Sequence, residues 1–185
     1  MKILLANPPC RIDLGNGFEK AFVRAGSRWP FSTLVRKGAP LEYRPFPFYL
    51  AYTAGLLEKS GFKPLVDDAV AENISLERFL DETENQQPEI IIFETSTPTI
   101  NYDLNLAKEL RRRLPKLKIC LAGPHATVFP KEILTQCAPV DFIFLREYEL
   151  SFTQFCEKIR DNQPYESIAG LAFRKAAEVI INPPQ

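Results

Sequence analysis

Five short, mainly apolar runs divide the 185-residue chain, and each is followed by polar or turn-forming residues. Runs of this length that lack polar alternation are typical of parallel strands buried on both faces of a sheet. They lie at residues 2–6, 63–67, 89–93, 118–122 and 141–145. The pattern therefore predicts five parallel strands.

Helical periodicity occupies the segments between these runs. We expect a helix over residues 48–59 that is apolar on most sides and hence well buried. A second helix starts near Ile100, carries cations near its end and stops at Pro115. Shorter helical patterns are carried by Leu76, Phe79, Leu80, Ile133, Leu134, Cys137, Phe152, Phe155, Cys156 and Ile159. Strands that alternate with helices predict an α/β fold with a doubly wound, parallel five-stranded sheet and right-handed crossovers.

Two regions depart from this alternation. Residues 8–47 show no clear periodicity and contain several aromatic side chains, so we expect a long aromatic loop that lies across another part of the protein as a lid. Near the C-terminus, two short strand patterns at 170–174 and 179–182 flank a polar turn and predict a β-hairpin. The last residues, Asn182-Pro183-Pro184-Gln185, have the composition of a linker. We divide the chain into a domain over 1–165 and a hairpin with linker over 166–185.

Composition excludes several classes of function. The chain has 23 Lys and Arg residues against 23 Asp and Glu residues, so no global field favours nucleic acid or an anionic membrane. The sequence has no apolar run long enough for a membrane span and no signal peptide. Its four cysteines are far apart, which predicts neither a disulfide framework nor a zinc site, and a reducing cytoplasm is the expected compartment.

Candidate site residues follow the predicted strands. In a doubly wound sheet, ligands bind outside the carboxyl ends of the strands, so the loops at 7–9, 95–99, 123–127 and 146–149 are the candidates. The loop at 95–99 offers four hydroxyls and backbone N–H groups that suit a polar ligand, but helix capping explains them equally well. The binding candidates are Asn7, Pro8, Pro9, Thr95, Ser96, Thr97, Pro98, Thr99, Gly123, Pro124, His125, Ala126, Thr127, Glu147, Tyr148 and Glu149.

Catalytic and metal-binding interpretations of these residues are weaker. His125 is the only histidine and has no acidic residue or cysteine at ligand spacing, so we expect it to form hydrogen bonds or pack rather than bind a metal. Glu147 and Glu149 offer a carboxylate pair, although the helix dipole accounts for Glu149 alone. The chain lacks G-x-x-x-x-G-K-[ST], a G-x-G-x-x-G after the first strand and G-x-S-x-G. Nucleotide binding and serine hydrolysis therefore lose support.

Taken in order, the motifs resemble a known family over nearly the whole chain. They are Lys-Ile-Leu-Leu-Ala-Asn-Pro-Pro at the start, Pro-Phe-Tyr-Leu-Ala-Tyr-Thr-Ala-Gly-Leu-Leu-Glu-Lys-Ser-Gly at 47–61, Asp67-Asp68-Ala69, Thr95-Ser96-Thr97-Pro98-Thr99, Ala122-Gly123-Pro124-His125-Ala126-Thr127, Glu147-Tyr148-Glu149, Ile-Ala-Gly-Leu-Ala-Phe-Arg at 168–174 and Asn182-Pro183-Pro184. This order resembles the N-terminal cobalamin-binding domain of cobalamin-dependent radical S-adenosylmethionine enzymes, which include methyltransferases and a cyclase. The resemblance implies a flavodoxin-like, Rossmann-like sheet with cobalamin at the carboxyl ends of its strands.

The chain departs from the family pattern in two loops. The family usually has Gly-Glu-Gly-Glu where this chain has Arg146-Glu147-Tyr148-Glu149, so bulky residues replace both glycines. Other cobalamin domains carry D-x-H-x-x-G after the first strand, and its histidine ligates cobalt from below. The corresponding loop here has no histidine. The resemblance thus implies cobalamin without a histidine lower ligand.

The resemblance also implies that chemistry depends on a domain outside these 185 residues. The family's [4Fe-4S] cluster needs C-x-x-x-C-x-x-C, and the cysteines here have no such spacing. We therefore expect the cluster and S-adenosylmethionine only in a downstream radical SAM barrel of the same parent chain, which would be a partner of this domain. Two alternatives remain: a protein-docking module that has lost its ligand, and a small-molecule transferase that uses Glu147 and His125.

Overall fold

A seven-stranded sheet forms the centre of the computed structural model, which describes residues 1–23, 31–176 and 178–184. The strands are β1 (Ile3–Ala6), β2 (Arg11–Asp13), β3 (Phe18–Val23), β4 (Phe31–Arg36), β5 (Leu65–Asp67), β6 (Ile90–Glu94), β7 (Lys118–Ala122), β8 (Phe142–Phe144), β9 (Leu171–Lys175) and β10 (Glu178–Ile181). The helices are α1 (Phe48–Lys59), α2 (Leu76–Gln86), α3 (Ile100–Arg113), α4 (Pro124–Val128), α5 (Pro130–Gln136) and α6 (Glu149–Arg160).

The order of strands in this main sheet is β10-β9-β8-β7-β6-β1-β5. Five neighbouring strands of this sheet, β5, β1, β6, β7 and β8, pair in parallel, which confirms the predicted parallel sheet. Counted along the chain, their spatial order is 2-1-3-4-5, the flavodoxin-like arrangement, with its switch point between β1 and β6. The predicted C-terminal hairpin is also confirmed: β9 and β10 pair antiparallel, and β9 extends the sheet beyond β8.

Apolar side chains on the two faces of the main sheet form separate cores. Alternate residues of each strand point to opposite faces, and strands buried on both faces therefore need apolar residues at nearly every position. One face packs against α2, α3 and α5 through residues such as Leu4, Ile91, Phe93 and Leu110. The other packs against α1 and α6 through Leu5, Ile92, Leu50, Leu57, Phe152 and Phe155.

The prediction of an irregular loop over 8–47 is wrong for its central part. Strands β2, β3 and β4 form a second, antiparallel sheet of three strands. Its inner face packs Ala21 and Val23 against Leu41 and Val70. Its outer face leaves apolar residues exposed, among them Ile12, Phe18 and Leu34. Trp29, which we expected within the lid, lies outside the described residues.

The structure also corrects the loop predicted at residues 123–127. Helix α4 already begins at Pro124, and Gly123 is its N-cap residue with a φ of 95°. Proline suits the first position of a helix because its fixed φ is helical and its missing N–H is not needed there. The helical pattern predicted around Ile133 and Leu134 follows as α5. Among the described residues, no helix is both long and apolar enough to cross a membrane.

Candidate functional site

The predicted loops gather at the carboxyl edge of the main sheet, but they differ in exposure. The structure exposes Thr97, Pro98, Pro124 and Glu147 and leaves Gly123, His125, Thr127 and Glu149 partly exposed. It buries Asn7, Pro8, Pro9, Thr95, Ser96, Thr99, Ala126 and Tyr148. Half of the predicted residues are therefore buried inside this edge of the sheet, and the other half lie on its surface.

Three of the four hydroxyls in loop 95–99 form hydrogen bonds within the protein. Thr95 Oγ1 and Thr99 Oγ1 each donate a 2.7 Å hydrogen bond to Oδ2 of Asp103, which is fully buried. Ser96 Oγ lies 3.0 Å from Thr99 Oγ1. Only the Thr97 hydroxyl belongs to an exposed residue. Asp103 was not among the predicted site residues, although an acidic residue in the first turn of α3 after a run of hydroxyls was a usable signal.

Gly123 allows the loops after β6 and β7 to touch. A Cβ atom at this position would lie 2.7 Å from the carbonyl oxygen of Thr95 and 3.0 Å from its nitrogen, and the φ of 95° strains any L side chain. The backbone N–H of His125 donates to the same Thr95 carbonyl at 3.4 Å. The glycine is therefore required for loop contact. This explains it without a ligand, since backbone fills the space beside it.

His125 lies on the surface of the edge beside Thr97. Its Nδ1 is 3.1 Å from Thr97 Oγ1, and its ring centroid is 4.8 Å from that of Phe129. Burial lowers the pKa of His125, while Asp103 and Glu132 oppose that shift. The imidazole is therefore neutral near pH 7. Where the Thr97 hydroxyl donates to Nδ1, Nε2 carries the proton and can donate outward.

The turn at 146–149 is tied to both neighbouring loops. Arg146 N–H donates to Thr127 Oγ1 at 2.9 Å, and Arg146 adopts a φ of 56°, a conformation that glycine favours. The Tyr148 hydroxyl donates to Glu94 Oε1 at 3.0 Å. Burial and the nearby Glu94 carboxylate raise the pKa of Tyr148 well above its usual range. Burial is also the main cause that raises the pKa of Glu149.

The edge at β1 and β5 contains buried oxygen atoms that accept no hydrogen bond from the described residues. Asn7 donates through its backbone N–H to the Asp67 carbonyl and through Nδ2 to Asp68 Oδ1, both at 2.8 Å. Within the described part of the chain, Oδ1 of Asn7 and Oδ1 of Asp67 accept no hydrogen bond. Burial, followed by the charges of Glu72, Glu82 and Asp68, raises the pKa of Asp67 to about 6. In this structure Asn7, Pro8 and Pro9 form a buried, irregular segment after β1.

A groove of about 970 Å³ lies beside the 146–149 turn. Helix α1 forms one wall, and the turn with the start of α6 forms another; both walls mix apolar and charged side chains. The lining includes Ala51, Tyr52, Gly55, Leu56, Lys59, Arg146, Glu147, Glu149, Leu150, Gly170 and Pro184. Helix α1 was not among the predicted site elements. Its small residues Ala51 and Gly55, one turn apart, were the available signal for an open helix face.

Residues 38–155 match the B12 binding domain family, and this match covers more than half of the chain. The chain belongs to the B12 binding domain family. The flavodoxin-like order of the parallel strands and the concentration of loops at their carboxyl edge agree with membership of this family. The predicted resemblance to the cobalamin-binding domain of cobalamin-dependent radical SAM enzymes is confirmed.

Curated relatives of this B12 binding domain are much longer proteins. The chain is 25% identical over 138 residues to the anaerobic magnesium-protoporphyrin IX monomethyl ester cyclase of Cereibacter sphaeroides, which covers 72% of the chain and 22% of the cyclase. It is 26% identical over 166 residues to the cytidylyl-2-hydroxyethylphosphonate methyltransferase of Streptomyces wedmorensis, which covers 78% of the chain and 30% of that enzyme. The chain thus spans less than a third of either relative.

Solved structures agree on the fold of this B12 binding domain. The radical S-adenosylmethionine methyltransferase TsrM from Kitasatospora setae, solved with cobalamin and a [4Fe-4S] cluster, gives a TM-score of 0.69 at 14% identity over 99% of the chain. The cobalamin-dependent radical enzyme OxsB, solved with aqua-cobalamin and S-adenosylmethionine, gives 0.72 at 10% identity over the whole chain. The chain covers 29% of the TsrM chain and 22% of the OxsB chain. At these identities, the likeness concerns the fold alone.

Proposed function

We propose that this B12 binding domain holds cobalamin at the carboxyl edge of its main sheet, as one part of a larger radical S-adenosylmethionine enzyme of methyltransferase or cyclase type. The observation that carries the proposal is an open polar edge, formed by Thr97, His125 and Glu147, that adjoins a groove of about 970 Å³. Cobalamin supplies group-transfer chemistry at cobalt. The domain binds and orients it.

The residues at this edge fit a corrinoid. A corrin ring is broad and planar, and its amide side chains need hydrogen-bond donors and acceptors at the rim of an otherwise apolar site. Thr97 and the neutral His125 supply such groups. In the groove, Tyr52, Leu56 and Leu150 offer apolar surface for the periphery of the ligand. The groove volume lies within the range of about 300–1,000 Å³ that is usual for small-molecule sites.

The domain supplies no histidine beneath the cobalt. The segment after β1 carries Asn7, Pro8 and Pro9, all buried, and no imidazole. His125 is held through Nδ1 by Thr97 and acts as a hydrogen-bond donor to the ligand. Electron paramagnetic resonance of the cobalt(II) form tests this point. Nitrogen superhyperfine splitting that disappears in His125→Ala would contradict it.

The [4Fe-4S] cluster and S-adenosylmethionine belong to another domain of the parent chain. Cys10, Cys120, Cys137 and Cys156 are all buried, and burial raises the pKa of Cys120 well above its usual range. Thiols that stay protonated in an apolar core are poor cluster ligands. We therefore propose the radical SAM domain of the same polypeptide as the partner, and no turnover by these 185 residues alone.

Cofactor retention tests the proposal directly. The purified chain is mixed with hydroxocobalamin, desalted and examined by visible spectroscopy, and we expect close to one corrinoid per chain. A double variant, Thr97→Val with His125→Ala, should retain much less, because it removes both exposed polar groups of the edge. Lys116→Ala, an exposed change away from the edge, serves as the control.

A protein-docking module is the second candidate. Two observations favour it: Tyr148 and Arg146 fill positions where the family has glycine, and the outer face of the small sheet exposes Ile12, Phe18 and Leu34. The retention experiment separates the candidates. A folded chain that leaves the desalting column without corrinoid absorbance would favour docking.

A further inference from the structure

The hairpin that joins β2 to β3 carries an asparagine followed by a glycine at its tip. The backbone N–H of Leu14 donates to the Phe18 carbonyl at 3.0 Å and closes a short loop. The loop residues are Gly15, Asn16 and Gly17, and both glycines have a positive φ, of 74° and 81°, as tight hairpin loops favour. Asn16 is exposed. Its side-chain amide is therefore open to water.

Asn16 folds its side chain back over the following peptide bond. Its Oδ1 accepts a hydrogen bond from the backbone N–H of Phe18 at 3.2 Å, which forms an Asx turn. The ring closed by this bond includes the nitrogen of Gly17, so Cγ of Asn16 is held on the same side as that nitrogen. The bond also polarises the side-chain carbonyl, because the Phe18 N–H points at the oxygen on which negative charge develops when a nucleophile attacks Cγ.

The backbone nitrogen of Gly17 can act as that nucleophile. Its N–H donates no hydrogen bond to any other described residue. A Cβ atom at Gly17 would meet nothing within 4 Å, so the space around this nitrogen is open to solvent base. The nitrogen is therefore able to lose its proton, and no side chain blocks its approach to Cγ of Asn16.

We propose that Asn16 is a covalent modification site, at which the side-chain amide is lost through attack by the Gly17 nitrogen. This nitrogen gives its proton to solvent base and bonds to Cγ, and the side-chain nitrogen leaves as ammonia, which closes a succinimide ring. Water then adds to either ring carbonyl and opens the ring, so the products are aspartate and isoaspartate. The reaction consumes one water, releases one ammonia and needs no oxidant. It is favoured because both reacting groups are already held together in one turn.

The modification changes both the charge and the backbone of the small sheet. One carboxylate is added to a chain with 23 cationic and 23 anionic residues, so its formal net charge becomes −1. Isoaspartate also places an extra carbon in the main chain between Leu14 and Phe18, whose hydrogen bond closes the loop. The Gly17 carbonyl accepts the backbone N–H of Lys37, directly after β4, at 3.0 Å. The change therefore reaches all three strands of the small sheet.

Asn162 is the matched internal control, because it is also exposed in a turn of the same molecule. It is followed by Gln163, whose backbone N–H donates to the Lys158 carbonyl at 2.8 Å. The nitrogen next to Asn162 is therefore engaged, and its residue carries a bulky side chain. We expect Asn162 to keep its amide under conditions in which Asn16 loses it.

Incubation of the folded chain at mildly alkaline pH, followed by peptide mass spectrometry, tests the inference. We expect Asn16 to convert at least about tenfold faster than Asn162. Asn16→Gln, whose longer side chain disfavours the five-membered ring, should stop the acidic species from accumulating on ion exchange, and circular dichroism verifies its fold. Conversion of Asn16 no faster than that of Asn162, or conversion only in urea, overturns the inference. Neither result depends on whether the chain retains cobalamin.

Discussion

Two parts of the same sheet edge treat their buried polar groups in opposite ways. Beyond β6, the Asp103 carboxylate accepts hydrogen bonds from Thr95 and Thr99. Beyond β1 and β5, the oxygens Oδ1 of Asn7 and Asp67 are buried without hydrogen-bond partners among the described residues. Buried acceptors are normally paired, because an unpaired one loses its hydration without compensation. The hydrogen bonds of the first part therefore stabilise the fold, whereas the unpaired oxygens of the second part destabilise it, and ionisation of Asp67 increases that destabilisation.

Gly123→Ala should have the largest effect, since it breaks the contact on which the well-paired part depends. The new Cβ meets the Thr95 carbonyl oxygen at 2.7 Å in a backbone conformation that alanine disfavours. We expect a loss of about 3 kcal/mol in the free energy of unfolding, measured by urea denaturation. Gly55→Ala is the control: it lies within helix α1, where a Cβ meets nothing within 4 Å. It should stabilise by about 0.5–1 kcal/mol. Equal losses in both variants would refute the argument.

Asp103→Ala should cost about 2–3 kcal/mol, because it leaves the hydroxyls of Thr95 and Thr99 buried without their acceptor. Asp81→Ala, which removes an exposed carboxylate from α2, should cost less than about 0.5 kcal/mol. Urea denaturation of both variants at pH 7 measures the difference. A cost below about 1 kcal/mol for Asp103→Ala would show that the loop holds its shape without this acceptor.

The poorly paired part predicts a dependence of stability on pH. Asp67 has a pKa of about 6 in the fold, against an ordinary value of 3.8, so the folded state holds its proton more tightly than the unfolded state. The free energy of unfolding should therefore fall by about 2 kcal/mol as pH rises from about 4 to 7. Asp67→Asn should remove this decrease and raise stability at pH 7. A variant with the same pH profile as the wild type would assign the decrease to other groups.

The smallest effect on stability is expected at Thr97. Its hydroxyl contacts His125 at an exposed position, so Thr97→Val should change the free energy of unfolding by less than about 0.5 kcal/mol. Thr99→Val, which removes a buried hydrogen bond to Asp103, should cost about 1–2 kcal/mol. Cobalamin retention should fall in the Thr97 variant despite its stability. Retention that follows stability in both variants would contradict the division of this loop into structural and binding hydroxyls.

The sequence was sufficient for the parallel sheet and for the position of the edge loops. Runs such as Ile90–Glu94 combine length, apolarity and flanking turns in a way that few other structures share. The direction of the hydroxyls in loop 95–99 could not be predicted, because it depends on whether Asp103 folds back beneath them. Strands β2 to β4 were missed because only one face of their sheet is buried, through Ala21 and Val23, and no regular alternation spans the segment.

The groove was beyond sequence analysis for a different reason. Its walls come from α1, from the β8–α6 turn and from the residues around Gly170 and Pro184. These segments are far apart in the chain, and each has another explanation on its own. Only the packing of α1 beside α6 brings them together.

The C-terminal hairpin decides at which edge of the main sheet the polypeptide leaves it. Strand β8 runs toward the carboxyl edge, β9 runs back from it, and β10 reverses the path again. An even number of added strands returns the polypeptide to the side from which it left, whereas a single added strand would have carried it to the far side. Pro184 accordingly lines the groove. A probe attached there, such as a small fluorophore, would stand beside the proposed corrinoid site and report its occupancy through energy transfer.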